Sequence, residues 1–202
     1  MNHINDRDNA ILWARDLMSR KNWLILDTET TALKDAEICQ VGILSPDGHV
    51  LLDALVKPTR PIPIEATDIH GITDDMVEGA LKDIYVLWLI EFLSLDKEIV
   101  IYNCQYDRNV ILNVSQLYSE RTGYSSPTVT WQGFREWTCA MLFYSAFVGE
   151  VGKYGNDWKW QKLPGARAHS AIEDCRATLN VIKFMADSNL STEEPCEAEV
   201  AQ

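Results

Sequence analysis

Two acidic residues, Asp27 and Glu29, are separated by one threonine and follow a short apolar run from Trp23 to Leu26. The run is rich in strand-forming residues, and side chains two positions apart on a strand point to the same face. A pair of carboxylates placed in this way attracts a hard divalent cation such as Mg²⁺. The same D-x-E pattern also occurs at solvated strand ends that bind nothing, so the pattern by itself leaves both interpretations open.

A third carboxylate, that of Asp107, comes four residues after Asn103, behind a second short apolar run from Ile99 to Tyr102. The run predicts a buried strand, and Asp107 then stands at the start of a helix over 108–121. Aspartate at a helix start is also a good N-cap, so a purely structural role is the alternative.

A histidine and a fourth carboxylate, His169 and Asp174, flank the start of a helix predicted over 170–187. Ser170 and Glu173 have the spacing of a capping box, which makes Ser170 the N-cap and puts Asp174 in the first turn. His169 then lies just outside the helix, where its ring can reach over a neighbouring site. Imidazole titrates near neutrality, which suits a general base. A surface histidine beside a helix is the alternative.

The elements that must position these groups alternate between strand and helix. Besides those already named, apolar spacing predicts helices over 8–20 and 83–95, strands over 38–44 and 50–56, and a strand that continues into a helix over 137–147. The turn Pro46-Asp47-Gly48 joins the strands on either side of it as an antiparallel hairpin. This order predicts an α/β layered domain with a hairpin-containing mixed sheet.

The three motifs occur in the order D-x-E, N-x-x-x-D and H-x-x-x-x-D, and this order resembles the DEDDh family of 3′–5′ exonucleases, which includes proofreading subunits of replicative polymerases. The resemblance runs from about Trp23 to Ala186 and is supported by the segments Leu26–Leu33, His70–Thr73 and Leu163–His169. One departure is Tyr102-Asn-Cys-Gln-Tyr, where relatives often carry His-Asn and a Phe before the aspartate. All five residues of the family signature have counterparts here: Asp27, Glu29, Asp107, His169 and Asp174.

This resemblance implies a ribonuclease-H-like α/β fold, a mixed sheet flanked by helices, and hydrolysis of phosphodiester bonds with two Mg²⁺ or Mn²⁺ ions per site. It implies that Asp27 bridges both ions and that Glu29 and Asp174 help to hold the ion near the nucleophile. Asp107 contacts the other ion through water, and His169 takes the proton from the attacking water.

The resemblance also implies which residues hold the terminal nucleotide. Thr28, Thr30 and Leu33 match positions that relatives use for it, with Leu33 as a wedge between bases. His70 and Ile72 are further candidates, although an apolar residue such as Ile72 is equally expected in the core. Asn103 is a further candidate for binding the substrate.

The stretch from Val151 to His169 suits a nucleic-acid strand independently of any family. It carries four basic residues against one aspartate and includes Trp158 and Trp160. Cations can bind phosphates, and aromatic rings can stack on bases. Packing of both tryptophans in the core is the alternative.

The 202 residues suit one domain, expected over 1–190, followed by an acidic, disordered tail over 191–202. A net charge of −12 opposes binding to phosphates, but four tail glutamates and the four candidate metal ligands carry eight of these negative charges. The five scattered cysteines lack C-x-x-C spacing and indicate free thiols. The polar N-terminus and the absence of a long apolar run predict a cytoplasmic protein that does not enter a membrane.

The preferred substrate is nucleic acid with a single-stranded 3′ end, and DNA rather than RNA, because the resemblance is to deoxyribonuclease members. An RNA-trimming enzyme of the same family is the first alternative. A nucleic-acid-binding module that keeps the fold without catalysis is the second, and the complete five-residue signature argues against it.

Overall fold

A computed structural model describes residues 3–126, 136–154, 157–165 and 169–191 of the chain. Its helices are α1 (His3–Ser19), α2 (Ile64–His70), α3 (Asp74–Val77), α4 (Asp83–Leu93), α5 (Cys104–Thr122), α6 (Ala140–Val148) and α7 (Ala171–Ala186). Its strands are β1 (Trp23–Thr30), β2 (Ile38–Leu44), β3 (Val50–Lys57), β4 (Leu81–Lys82), β5 (Glu98–Ile101) and β6 (Trp137–Cys139).

The six strands form one mixed sheet in the order β4-β3-β2-β1-β5-β6. The β1–β2 and β2–β3 pairs are antiparallel, whereas β5 is parallel to β1 and β6 is parallel to β5. The predicted hairpin and the predicted mixed α/β sheet are therefore confirmed. Because β1, β5 and β6 run in the same direction, their carboxyl ends lie at one edge of the sheet.

Helices cover both faces of the sheet, and the alternation along β1 divides its side chains between two cores. Leu24 and Leu26 pack into a cluster with residues of α4 and α5. Trp23 and Ile25 pack into the opposite cluster with residues of α1, α6 and α7. A residue of β1 thus belongs to the α5 side if its number is even and to the α7 side if it is odd.

Several boundaries differ from the predicted ones. Strand β1 continues to Thr30 because its antiparallel pairing with β2 persists, so the D-x-E pair lies inside the strand instead of following it. Helix α5 begins at Cys104, so Asp107 lies in its first turn and Asn103 is the N-cap. The short elements α2, α3 and β4 were not predicted; each is too brief to show a clear apolar period.

No helix in the described ranges is long and apolar enough to cross a membrane. The predicted tail lies outside those ranges, apart from Ser191.

Candidate active site

Asp27 and Glu29 lie on the α7 side of β1, opposite Gly42 and Gln40 of β2. Strand β5 pairs with β1 only as far as Ile25, so the carboxyl-terminal half of β1 has a strand on one side only. This open side of β1 gives the first turn of α5 access to the strand.

Asp107 reaches β1 from the α5 side and binds the threonine between the two acids. Its Oδ1 accepts a hydrogen bond from the Thr28 backbone N at 3.0 Å and another from Thr28 Oγ1 at 2.7 Å. Both side chains are buried. The strand that carries Asp27 and Glu29 thus positions the Asp107 carboxylate. This arrangement favours a functional site that includes Asp107 over a role of Asp107 as a helix cap.

Asp174 reaches the site from the α7 side, in the first turn of that helix. Gly42 makes this approach possible: a Cβ at this position would lie 2.7 Å from Ala171 C and from Ile172 N. The start of α7 therefore lies directly on the backbone of β2 at Gly42, the residue that pairs with Asp27.

The predicted N-cap position, Ser170, is confirmed, but the Ser170 side chain makes no capping hydrogen bond. Instead, the Ala171 backbone N donates a hydrogen bond of 3.2 Å to Gln40 Oε1. A side chain of β2 thus satisfies the helix end, because the sheet is close enough to replace the local cap.

His169 precedes α7 in a left-handed backbone conformation with φ 39°, and its side chain is exposed. One ligand atom each of Glu29, His169 and Asp174 lies within 4.8 Å of the other two. Glu29, which precedes the other two residues by 140 or more positions in the chain, therefore meets them at one edge of the sheet.

The carboxylate cluster, consisting of Asp27, Glu29, Asp107 and Asp174, is largely removed from water. Burial raises the pKa of Glu29 to about 7, and the charges of Asp174 and Asp107 act in the same direction. Burial raises the pKa of Asp107 to about 7 although the bonds from Thr28 oppose the shift. Burial and the three other carboxylates hold the pKa of Asp27 well above its usual range. The pKa of Asp174 is also raised by burial, while His169 lowers it.

The donor set of the carboxylate cluster fits a hard divalent cation. Within the described ranges no lysine or arginine forms an ion pair with any of the four acids. The Asp174 Oδ1 atom is buried and has no hydrogen-bond partner there. Buried carboxylates that lack a counter-charge are costly, and a bound cation supplies the missing charge while taking oxygen ligands.

A cavity of about 450 Å³ opens beside the cluster, between the end of β1, α2 and α5. We call it the terminal pocket; it is lined by Thr28, Glu29, Thr30, Thr31, Ala32, Leu33, Pro63, Glu65, Ala66, Ile69, His70 and Tyr106. Leu33 is 87% exposed at its rim, as a residue that wedges between bases would be. The Tyr106 hydroxyl bonds Thr30 Oγ1 and the Ala32 carbonyl, which joins α5 to the end of β1.

His70 is fixed within the terminal pocket. Its Nδ1 accepts a hydrogen bond of 3.0 Å from the Ile72 backbone N, and its Nε2 lies 3.6 Å from Cys39 Sγ. Ile72 itself is 4% exposed and packs in a small cluster with Ala66 and Val77. This burial favours the core alternative for Ile72, and contact of Ile72 with substrate stays a prediction.

The other candidates are not among the residues that line the terminal pocket. Asn103 and Trp160 line a second cavity, and Trp160 is 63% exposed. Trp158 pairs with Val151 in an isolated antiparallel bridge and is partly buried. The two tryptophans are thus not equivalent, since Trp160 offers a much larger free surface.

Two positions that shape the site, Gly42 and Gln40, were not singled out in the sequence, and Tyr106 was noted only as the aromatic residue of the second motif. A glycine inside a predicted strand indicates a close backbone approach, so Gly42 carried a usable signal. The aromatic residue before Asp107 was visible as well. Gln40 had no such signal, because its role depends on a helix 131 residues away.

Comparison with known proteins places these features in a family. Residues 24–182 match the family model described as exonuclease, RNase_T. The chain is 39% identical over 184 residues to an uncharacterized exonuclease of Escherichia phage 186, covering 82% of this chain and 91% of that protein. It is 30% identical over 167 residues to exodeoxyribonuclease 10 of Escherichia coli strain K12, covering 76% of this chain and 64% of that protein.

Solved structures agree on the ribonuclease-H-like fold. Exonuclease X in complex with 5′ overhanging duplex DNA superposes with a TM-score of 0.52 at 26% identity, over 83% of this chain and 95% of that one. Exonuclease I of E. coli in complex with a dA16 oligonucleotide has a TM-score of 0.61 at 18% identity, and the match spans 83% of this chain but only 42% of exonuclease I. This chain is an enzyme with a nucleic-acid substrate and belongs to the RNase_T exonuclease family.

Proposed function

We propose that this chain is a divalent-metal-dependent 3′–5′ exonuclease that hydrolyses DNA and releases nucleoside 5′-monophosphates. One observation carries the proposal: four carboxylates, two buried and two half-buried, have no lysine or arginine partner among the described residues and meet a histidine at one sheet edge, beside a pocket of about 450 Å³. Similarity to exodeoxyribonuclease 10 and to the DNA-bound exonuclease X supports DNA as the substrate. The 3′ polarity rests on the resemblance to the DEDDh signature.

The carboxylate cluster would hold two ions, Mg²⁺ or Mn²⁺. When bound, such ions stabilise the negative charge that develops on the attacking and leaving oxygens of a phosphodiester. Asp27 lies between Asp107, which comes from α5, and Asp174, which comes from α7, and it would be suited to share both ions. Thr28 holds Asp107 in place before any ion binds, so part of the ligand geometry is preorganised.

His169 would act as the general base. Its ring nitrogen lies within 4.8 Å of carboxylate oxygens of Glu29 and Asp174. From there it can accept the proton of a water molecule that attacks phosphorus, and its exposed side chain can pass that proton to solvent. Asp174 is in direct electrostatic contact with His169 and stabilises the imidazolium that results.

The terminal pocket would hold the last nucleotide of the strand. Leu33 and Ile69 supply exposed apolar surface for the base, with exposed fractions of 87% and 59%. Thr30 and Tyr106 supply hydroxyls for the sugar. This division into an apolar part and a few polar groups is typical of small-ligand sites.

The experiment uses two labelled versions of one 20-nucleotide single-stranded DNA with purified protein and Mg²⁺ or Mn²⁺. The 5′-labelled strand should shorten in steps of one nucleotide, whereas the 3′-labelled strand should release labelled mononucleotide at once. Mass spectrometry should identify nucleoside 5′-monophosphates. EDTA should abolish the reaction, and added Mg²⁺ should restore it.

Four outcomes would contradict the proposal. Mononucleotide released first from the 5′ end would reverse the polarity. Faster shortening of an RNA of the same sequence would select the RNA-trimming alternative. Full activity after chelation would show that the reaction needs no metal ion. The absence of hydrolysis under every condition would favour a non-catalytic binding module.

We also propose that the protein works in the cytoplasm. Cys39, Cys104, Cys139 and Cys175 are free thiols, as is usual in a reducing compartment. Cell fractionation with a compartment-specific thiol probe tests this.

A further inference from the structure

A second cavity, of about 480 Å³, lies on the opposite side of α5 from the terminal pocket. We call it the Trp160 groove. Its α5 wall includes Asn103, Gln105, Arg108 and Asn109, and Trp160 stands across from them. Tyr106 lines the terminal pocket instead, so the first two turns of α5 separate the two cavities.

The groove lies on the line that a strand would follow through the site. The terminal pocket lies at the end of β1, toward α2. The carboxylate cluster is on β1, and the groove takes in Asn103 after β5 and Cys139 at the end of β6. Since β1, β5 and β6 are parallel neighbours, pocket, cluster and groove follow one another along the same sheet edge.

Trp160 is fixed as an exposed platform because both of its neighbours are tied to the body of the protein. The Lys159 backbone N donates to the Glu150 carbonyl at 2.8 Å. The Gln161 backbone N donates to Ser145 Oγ at 3.2 Å, and the Gln161 carbonyl accepts from the Tyr102 hydroxyl at 2.9 Å. An exposed tryptophan on anchored backbone can stack on a base without first being ordered.

The charge of the groove also fits a phosphodiester strand. Arg108 is among its described lining residues, and none of those residues carries a carboxylate, although the chain has a net charge of −12. The terminal pocket, by contrast, is lined by Glu29 and Glu65. Amide side chains at 103, 105 and 109 add donors and acceptors for base edges.

We propose that the Trp160 groove binds the nucleotides upstream of the two that the scissile bond joins, with Trp160 stacked on a base and Arg108 on a phosphate. This inference rests on the proposed function. It makes the groove the site that distinguishes a longer single strand from a dinucleotide. The terminal pocket and the carboxylate cluster act on both substrates alike.

The test measures kcat and KM on a thymidine dinucleotide and a thymidine octanucleotide at saturating Mg²⁺. In the parent protein the octanucleotide should have the lower KM. Trp160→Ala should reduce the ratio of octanucleotide to dinucleotide kcat/KM by about 10-fold, mainly through KM, since stacking on one base is worth that order of affinity. Trp160→Phe should restore most of the ratio. Arg108→Gln should lower it at low salt and have less effect at high salt.

Trp88→Ala is the matched control, because Trp88 is 57% exposed on α4 and lines neither cavity. It should leave the ratio unchanged. The groove inference would be overturned if Trp88→Ala lowered the kcat/KM ratio as much as Trp160→Ala does. It would also be overturned if the ratio were unchanged in both Trp160→Ala and Arg108→Gln. A parent protein that turns over both substrates with the same KM would overturn it as well. A parent protein that hydrolyses neither substrate would instead contradict the proposed function.

Discussion

At the scale of single residues, the candidate active site combines side chains that destabilise one another without a cation. Burial raises the pKa of each member of the carboxylate cluster, and repulsion from other members raises the pKa of Asp27, Glu29 and Asp107 further. The same features make the cluster a strong site for divalent ions, because an ion removes the repulsion. Stability without metal and affinity for metal are therefore linked through the same four side chains.

The first prediction concerns pH and the metal-free protein. Carboxyl groups of an unfolded chain titrate near 4, whereas the folded-state pKa of Glu29 and of Asp107 is about 7. The folded state thus binds more protons between about pH 4 and 7, and its stability should fall as pH rises through this window. We expect a lower Tm at pH 8 than at pH 5 in EDTA, and recovery with Mg²⁺ at pH 8.

Asp27→Asn should make this fall in Tm shallower by about 3 °C or more, because it removes one repelling charge. Asp75→Asn, an exposed acid on α3, is the control and should behave as the parent. Thermal unfolding followed by circular dichroism measures both. A Tm in EDTA that rises steadily from pH 5 to pH 8 would refute the electrostatic account.

The second prediction concerns His169. His169→Ala should lower kcat at saturating Mg²⁺ by about 10²–10⁴-fold, the contribution of a positioned proton acceptor. Mg²⁺ affinity, measured by calorimetry, should change little because the carboxylates carry it. His49→Ala is the control, since the His49 side chain is 81% exposed in the β2–β3 turn. A normal rate in His169→Ala would remove this residue from the mechanism.

At the scale of elements, the site depends on how closely α7 and α5 approach the middle of the sheet. Helix α7 contacts β2 through its own backbone at Ala171 and Ile172. Helix α5 approaches β1 where β5 no longer pairs with it. Strand order and the length of one parallel pairing therefore decide where the acids meet.

The third prediction tests the approach of α7. Gly42→Ala adds a Cβ 2.7 Å from the α7 backbone, so the start of α7 must move away from β2. We expect a loss of about 1–3 kcal/mol in the free energy of unfolding. The loss of kcat should be larger than this destabilisation explains, because Asp174 and His169 move with the helix. Gly79→Ala, with no atom within 4 Å of the new Cβ, is the control. Unchanged activity in Gly42→Ala would show that the approach tolerates a methyl group.

At the scale of the whole molecule, hydrogen bonds join the first helix, α1, to the segment that follows the last helix, α7. The Ser191 backbone N donates to Asp8 Oδ1 at 2.9 Å. Arg7 and Arg15 of α1 bind carbonyls of Asn189 and Ser188. The segment after α7 is thus part of the folded domain as far as Ser191, and the proposed tail can begin only after it.

The fourth prediction separates this segment from the tail. Removal of residues 192–202 should leave Tm and kcat unchanged and lower KM for DNA at low salt, because four glutamates are lost. Removal of residues 187–202 should also lower Tm by about 3 °C or more, since the bonds to α1 disappear. Equal Tm losses in both truncations would place structural contacts in 192–202.

The sequence by itself determined the residue types of the candidate active site, most of the long elements and the class of fold. Asp27 and Glu29 were identifiable because a strand period of two fixes their common face within a few residues. His169 and Asp174 were identifiable because a helix start has local signals. These inferences needed only neighbours along the chain, and family resemblance joined them into one site.

Only the tertiary structure decided how those residues are held and what surrounds them. Thr28 bonds Asp107 across 79 residues, and Gln40 caps α7 across 131. Ile72 packs in the core, and the Trp160 groove forms between α5, β6, α6 and the segment that carries Trp160. The physical reason is common to all of them: each depends on the distance between two chain segments, and packing of the complete sheet and helices sets that distance.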